Sequence, residues 1–122
     1  MTESNTPEAA EDKGLISIED FMKVELRVGK ILTCEAVPKS RKLLRMEVDL
    51  GSETRQILAG MAPYYLPQEM VGRRVAVVAN LKPAKLMGLE SQGMLLAAST
   101  ENAEAVTLLA IPDGMPLGAR IR

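Results

Sequence analysis

The chain has 122 residues, a length that fits one domain, and 47% of them are hydrophobic, enough to build a core. It contains no histidine and one cysteine, Cys34. That composition excludes a disulfide framework and argues against a catalytic triad or a usual zinc site, because histidine is the commonest general base and metal ligand. The net charge of −1 conceals an asymmetry. Glu3, Glu8, Glu11 and Asp12 crowd the first stretch, whereas Lys23, Arg27, Lys30, Lys39, Arg41, Lys42 and Arg45 follow against only Glu25 and Glu35. This basic cluster is either a solvated face or a contact for an anionic partner.

Aromatic residues amount to 2%, namely Phe21, Tyr64 and Tyr65, so the core is expected to be aliphatic, with Phe21 in it. No apolar run approaches the roughly 18 residues of a membrane span, and no export signal is evident, so a reducing, cytoplasmic setting without membrane contact is expected. No cofactor is indicated.

In chain order, residues 1–14 are polar, acidic and aperiodic, and are expected to be a disordered tail ahead of a domain over 15–122. Ser17 is placed as a helix N-cap, with Asp20 reaching back as in a capping box. That turn is expected to carry Ile18 and Phe21 inward as a plug on an open barrel end.

Residues 24–32 alternate, with Val24, Leu26 and Val28 on one side and Glu25 and Arg27 on the other, as in a half-buried strand. Gly29 breaks the alternation and is read as a bulge or sharp bend. A basic turn over 38–42 follows. Leu44, Met46, Val48 and Leu50 then alternate with Arg45, Glu47 and Asp49, the clearest strand in the chain. A tight turn over 51–54 joins it to a third strand over 55–61. Residues 68–72 allow one helical turn ending at Gly72. Residues 74–79 form a near-continuous apolar strand, buried on both faces.

A loop over 80–93 leads to a strand over 94–98, a polar turn over 100–104, a strand over 105–111 and a short extended tail. The loop carries Lys82 and Lys85 against Glu90 alone, and is longer than a plain hairpin requires. Loops placed by rigid strands are common binding elements. Three strands, a short helix and two more strands is the order of the OB-fold, an all-β, five-stranded Greek-key barrel, here with an extra C-terminal strand.

The segments 20–29 (DFMKVELRVG), 55–60 (RQILAG), 80–85 (NLKPAK) and 91–94 (SQGM) together resemble the tRNA-binding domain family. That family includes the C-terminal appendage of bacterial methionyl-tRNA synthetase, small free-standing tRNA-binding proteins and EMAPII-like OB domains. The likeness covers about residues 16–122. It implies an OB barrel that binds tRNA by structure, with no catalysis of its own, serving methionyl-tRNA synthetase as a separate subunit or domain or acting in trans. It also implies a homodimer whose interface draws on the C-terminal segment, for which Leu108, Ile111, Met115 and Leu117 are the candidates. Met1 and the short acidic stretch point to a free-standing protein or a separately encoded synthetase subunit, with a fragment of a longer chain as the alternative.

Family members often carry His-Pro-x-Ala-Asp-Lys-Leu where this chain has Val37-Pro-Lys-Ser-Arg-Lys-Leu43, so the turn is more basic here and favours phosphate contact over base reading. The chaperone-like CsaA branch shares the barrel but usually departs from Asn-Leu-Lys-Pro. Peptide binding or scaffolding is therefore the alternative function.

The tRNA-binding candidates are Arg27, Arg41, Lys42, Arg45, Asn80, Lys82, Lys85, Ser91, Gln92 and Met94. Lys82, Lys85, Arg41 and Lys42 are candidates to neutralise phosphates, or belong to a solvated surface. Asn80 bonds a sugar or base edge, or braces its own loop. Ser91 and Gln92 are candidates for a phosphate or 2′-hydroxyl. Met94 packs on a splayed base or in the core. Arg27 and Arg45 line a binding face, or pair with Glu25 and Glu47. Cys34 reads as an inert small residue. With so few aromatics to stack bases on, the ligand is expected to be a folded RNA gripped through shape and backbone.

Overall fold

The structure, a computed structural model, describes residues 14–122. The expected acidic tail over 1–14 lies outside the described residues except for Gly14. The elements are α1 (Ile18–Met22), β1 (Leu26–Ala36), β2 (Leu44–Asp49), β3 (Thr54–Ala59), α2 (Pro67–Met70), β4 (Arg74–Val78), β5 (Ala84–Leu86), β6 (Leu89–Ser91), β7 (Met94–Leu95), β8 (Ala97–Ser99), β9 (Val106–Leu108) and β10 (Arg120–Ile121).

The main sheet runs β3-β2-β1-β4-β7, with antiparallel pairing throughout, and β10 adds to β1. This is a nearly closed OB barrel. Its long first strand serves two sheet halves. Leu26 to Lys30 pair with β4, and Lys30 to Ala36 pair with β2. At Gly29, next to the residue where the halves meet, a Cβ would lie 2.7 Å from Val48 Cγ1 and 2.9 Å from Val77 Cγ2. Gly29 thus permits close packing of the two halves. The bulge expected there falls instead between Ile31 and Thr33, where the register shifts and Leu32 turns outward.

The interior is aliphatic as composition demands, with Ile31, Leu44, Met46, Val48, Ile57, Met70, Val75 and Val77 all almost fully buried. Each such side chain contributes about 1.5–3 kcal/mol by leaving water. Residues 75–78 are buried on both strand faces, as the unbroken apolar run predicts.

Three expectations at the barrel ends are corrected. Ser17 Oγ does accept the Asp20 N–H, at 3.0 Å, but the Asp20 carboxylate pairs with Lys23 at 3.1 Å instead of reaching back. Helix α1 buries nothing: Ile18 is 66% exposed and Phe21 is half-buried, so neither plugs the barrel. The buried helical residue is instead Met70 of α2, which belongs to the core cluster. Pro67 starts that helix, and the Glu69 carboxylate caps it by accepting the Leu66 N–H at 2.8 Å. Val24 is 40% exposed and precedes β1 rather than facing inward.

The strand expected over 94–98 divides. β7 stays on β4, while β8 pairs with β9 as a small separate hairpin. The expected loop over 80–93 is not irregular, because β5 and β6 fold within it as a hairpin of their own. β9 puts Leu108 into the core at 6% exposure, which removes it from the interface candidates. Ile111 and Leu117 are half-buried and Met115 is 50% exposed.

Candidate nucleic-acid interface

Two loops border the outward surface of β2 and β3. The β1–β2 loop leads straight into β2, and it is stiffened by Ser40, whose Oγ accepts the N–H groups of Lys42 at 3.3 Å and Leu43 at 3.0 Å. Lys39, Arg41 and Lys42 are all exposed on it. The second loop leaves β4 at Ala79, carries the β5–β6 hairpin and returns at Gly93, exposing Lys82 and Lys85. In OB-folds these strands and these two loops are the usual nucleic-acid surface.

Side-chain bonds hold the second loop in place. Asn80 Oδ1 accepts the Glu25 N–H at 2.8 Å, and its Nδ2 donates to the Lys23 carbonyl at 2.7 Å. Both ends of this amide are therefore spent on bracing, the less functional of its two readings. Ser91 is buried; its Oγ accepts the Leu58 N–H at 3.0 Å and donates to the Gly93 carbonyl at 3.1 Å. Its hydroxyl is not presented to a ligand. Gln92 Oε1 accepts the Gln56 N–H at 3.0 Å, and the Gln92 N–H donates to the Gln56 carbonyl at 2.8 Å. Gln56 Nε2 answers by donating to the Glu90 carbonyl at 2.8 Å. Ser91 and Gln92 thus act as a substitute strand edge that closes the barrel along β3. They position the lysine-bearing hairpin.

Arg55 secures the base of the same loop, with Nη1 donating to the carbonyls of both Ala79 and Gln92, at 3.2 Å for the latter. The sequence offers no signal for this role, because its partners are backbone atoms far along the chain. Lys39, by contrast, sits in the same basic turn as Arg41 and Lys42 and belongs with them.

The cations fall into two sets. Arg45 pairs with Glu35 at 2.5 Å, not with Glu47, on the outward surface of β2. Arg27 pairs with Glu25 at 2.6 Å and donates to the Gly118 carbonyl at 3.0 Å. It lies opposite Val77 in the half of β1 that pairs with β4, whereas Arg45 lies opposite Glu35 in the half that pairs with β2. Arg27 and Arg55 line a cleft of about 390 Å³ together with Glu25 and Glu53. The hydrogen bonds from Arg27 and Arg55 hold the Glu25 and Glu53 carboxyls below the usual carboxylate range, so the cleft is charge-balanced. Among the described residues, no carboxylate lies in ion-pair range of Lys39, Arg41, Lys42, Lys82 or Lys85. The two loops thus gather five cations without a carboxylate partner; Lys30, Arg73, Arg120 and Arg122 are the others among the described residues, and they lie outside these loops. Met94 is 46% exposed, hence not core, and it pairs with Val78 from β7, the strand that follows the second loop and lies beside β3.

Residues 26–120 match the family described as "Putative tRNA binding domain". The chain belongs to this family. Within it, the chain is 54% identical over 110 residues to the methionine–tRNA ligase of Thermotoga maritima, an alignment covering 90% of this chain and 17% of that protein. The methionine–tRNA ligase of Deinococcus radiodurans is 48% identical over 124 residues, covering 99% of this chain and 18% of that protein. The chain therefore spans under a fifth of the length of these relatives. Among solved structures, this tRNA-binding domain is similar to a MetRS-related protein from Pyrococcus horikoshii, with TM-score 0.85 and 39% identity over 88% of this chain and 98% of that one. It is also similar to the chaperone CsaA of Bacillus anthracis, with TM-score 0.79 and 28% identity over 88% and 99% of the two chains.

Proposed function

We propose that this domain is a non-catalytic module that binds folded tRNA through its phosphate backbone and serves methionyl-tRNA synthetase, as a subunit or domain of it or in trans. The observation that carries this is the division of the cations. Arg27, Arg45, Arg55 and Arg74 of the main sheet are already paired with carboxylates, whereas Lys39, Arg41, Lys42, Lys82 and Lys85 cluster, without a carboxylate partner among the described residues, on the two connections that border β2 and β3. An RNA phosphate displaces only water and counterions there. Bound to a synthetase, such a module raises the local concentration of its substrate, up to about millimolar for a short tether.

Fluorescence anisotropy with mixed tRNA across a salt series tests the reading. Salt-sensitive binding, competed by tRNA and not by poly-U, supports it; equal affinity for poly-U, or no binding at low salt, ends it. The likeness to a chaperone favours a second reading, peptide binding on the same barrel. A peptide that competes with tRNA on equal terms would promote that reading.

A homodimer belongs to the same proposal, with a surface revised from the sequence expectation. Leu108 drops out, Met115 stays, and Leu15, Ile16, Ile18, Met22 and Val24 add an exposed apolar run. Arg120 of β10 donates to the Met22 and Val24 carbonyls at 3.1 and 3.5 Å, so both chain ends contribute to one region. Exposed apolar runs of this kind commonly mark interfaces. Light scattering that gives a monomer at micromolar concentration rejects the dimer.

A further inference from the structure

The tip of the β5–β6 hairpin is built unusually. In the backbone ladder Lys85 lies opposite Glu90 and Leu86 opposite Leu89, leaving Met87 and Gly88 as a two-residue turn. Both have positive φ, 53° and 79°, the backbone of a type I′ turn. Gly88 suits its place. The first position of such a turn favours Asn, Asp or Gly, whose backbones tolerate the left-handed region, and methionine does not.

Among the described residues, nothing repays that choice. Met87 is 55% exposed and Leu86 39%, all three residues of β5 are exposed, and a Cβ on Gly88 would meet no atom within 4 Å. The base of the hairpin is bonded to β3 through Glu90 and Ser91, while its tip presents apolar side chains to solvent. Backbone strain kept at an exposed position is a reason to look for a contact outside the chain.

The surroundings say what kind of contact. Lys82 and Lys85 flank the tip, so its partner is anionic close by and apolar at the point of contact. A nucleobase face beside its phosphates has that chemistry. Methionine and leucine are among the side chains that wedge against bases, and the thioether is polarisable enough to favour an aromatic ring. The aromatic residues are occupied elsewhere. Phe21 is half-buried, Tyr64 Oη donates to the Ala103 carbonyl at 2.7 Å, and the Tyr65 ring lies under Arg73, 4.9 Å from its guanidinium carbon.

We propose that Leu86 and Met87 form an apolar wedge that packs on an exposed base face of the RNA whose phosphates the neighbouring lysines neutralise. This rests on the tRNA-binding reading above and adds a non-ionic contact to it.

Met87→Asn separates the two. Asn-Gly is the favoured pair for this turn, so the hairpin is retained and the melting temperature does not fall. Affinity for tRNA is expected to drop at least fivefold with the slope of log affinity against log salt unchanged, because every ion pair is kept. Met87→Leu, which keeps the apolar tip, is expected to hold affinity within about twofold of the original chain, and this variant keeps the test decisive if M87N proves unstable. Original-level affinity in M87N, or equal losses in M87N and M87L, overturns the wedge while leaving tRNA binding intact. Absence of tRNA binding by the original chain overturns the underlying reading and the wedge with it. If M87N binds tRNA normally but loses binding to anionic phospholipid vesicles, the tip is a lipid contact and the wedge is wrong.

Discussion

Ser91 completes the edge of β3 by accepting the N–H of Leu58 at 3.0 Å, through a side chain where a strand would offer a carbonyl. The hydroxyl is buried and also donates to the Gly93 carbonyl, so both of its roles are used within the chain. One small residue thereby joins barrel closure to the placement of Lys82 and Lys85.

Ser91→Ala leaves the Leu58 N–H buried without a partner, at a cost of about 1–3 kcal/mol. The melting temperature is expected to fall by several degrees, as calorimetry would show. RNA affinity is expected to weaken while its salt slope stays the same, because every loop cation remains. An unchanged melting temperature would mean that the Leu58 amide finds another acceptor.

Lys82→Ala with Lys85→Ala is expected to lower the salt slope by about 0.7–0.9 for each phosphate that is no longer neutralised. Arg45→Ala is expected to leave the slope nearly unchanged, since Arg45 is already paired with Glu35. Anisotropy titrations from low to moderate salt give both slopes. A larger effect from Arg45 than from the lysine pair would move the binding surface from the loops to the strands.

Gly29→Ala drives a methyl group against Val48 and Val77, whose branched side chains have little rotamer freedom to yield. Overpacking of this kind costs about 1–3 kcal/mol. A lowered denaturation midpoint with little change in the denaturant slope is the expected result. An unchanged midpoint would show that the two sheet halves slide apart easily.

Partial burial, helped by the Glu35 charge, pushes the Cys34 thiol up to about 11. The folded chain thus holds this proton more tightly than the unfolded chain, whose thiol titrates near 8.5. The associated stability is fully present below about pH 8.5 and is lost as pH rises towards 11. Labelling of Cys34 by a thiol reagent at pH 8 is expected to be at least tenfold slower in the native state than in denaturant. Equal rates would show the thiol to be unshifted.

Much of the barrel was legible in the sequence. The alternation from Leu44 to Leu50 specifies one buried and one solvated strand face, and the unbroken run at 75–78 specifies a strand buried on both. Those patterns are local, with periods set by strand geometry. The basic turn before β2 and the lysines after β4 were equally plain, because charge is read directly from composition. Tertiary structure decided which polar residues remain available. Asn80, Ser91 and Gln92 look like ligands for RNA until their partners, 33 to 57 residues away in sequence, are seen to occupy them. It also decided that Leu108 is core while Ile18 is not, and that Met87 sits strained at an open tip. These are outcomes of long-range pairing and register, and no local pattern encodes which distant atom will meet a given side chain.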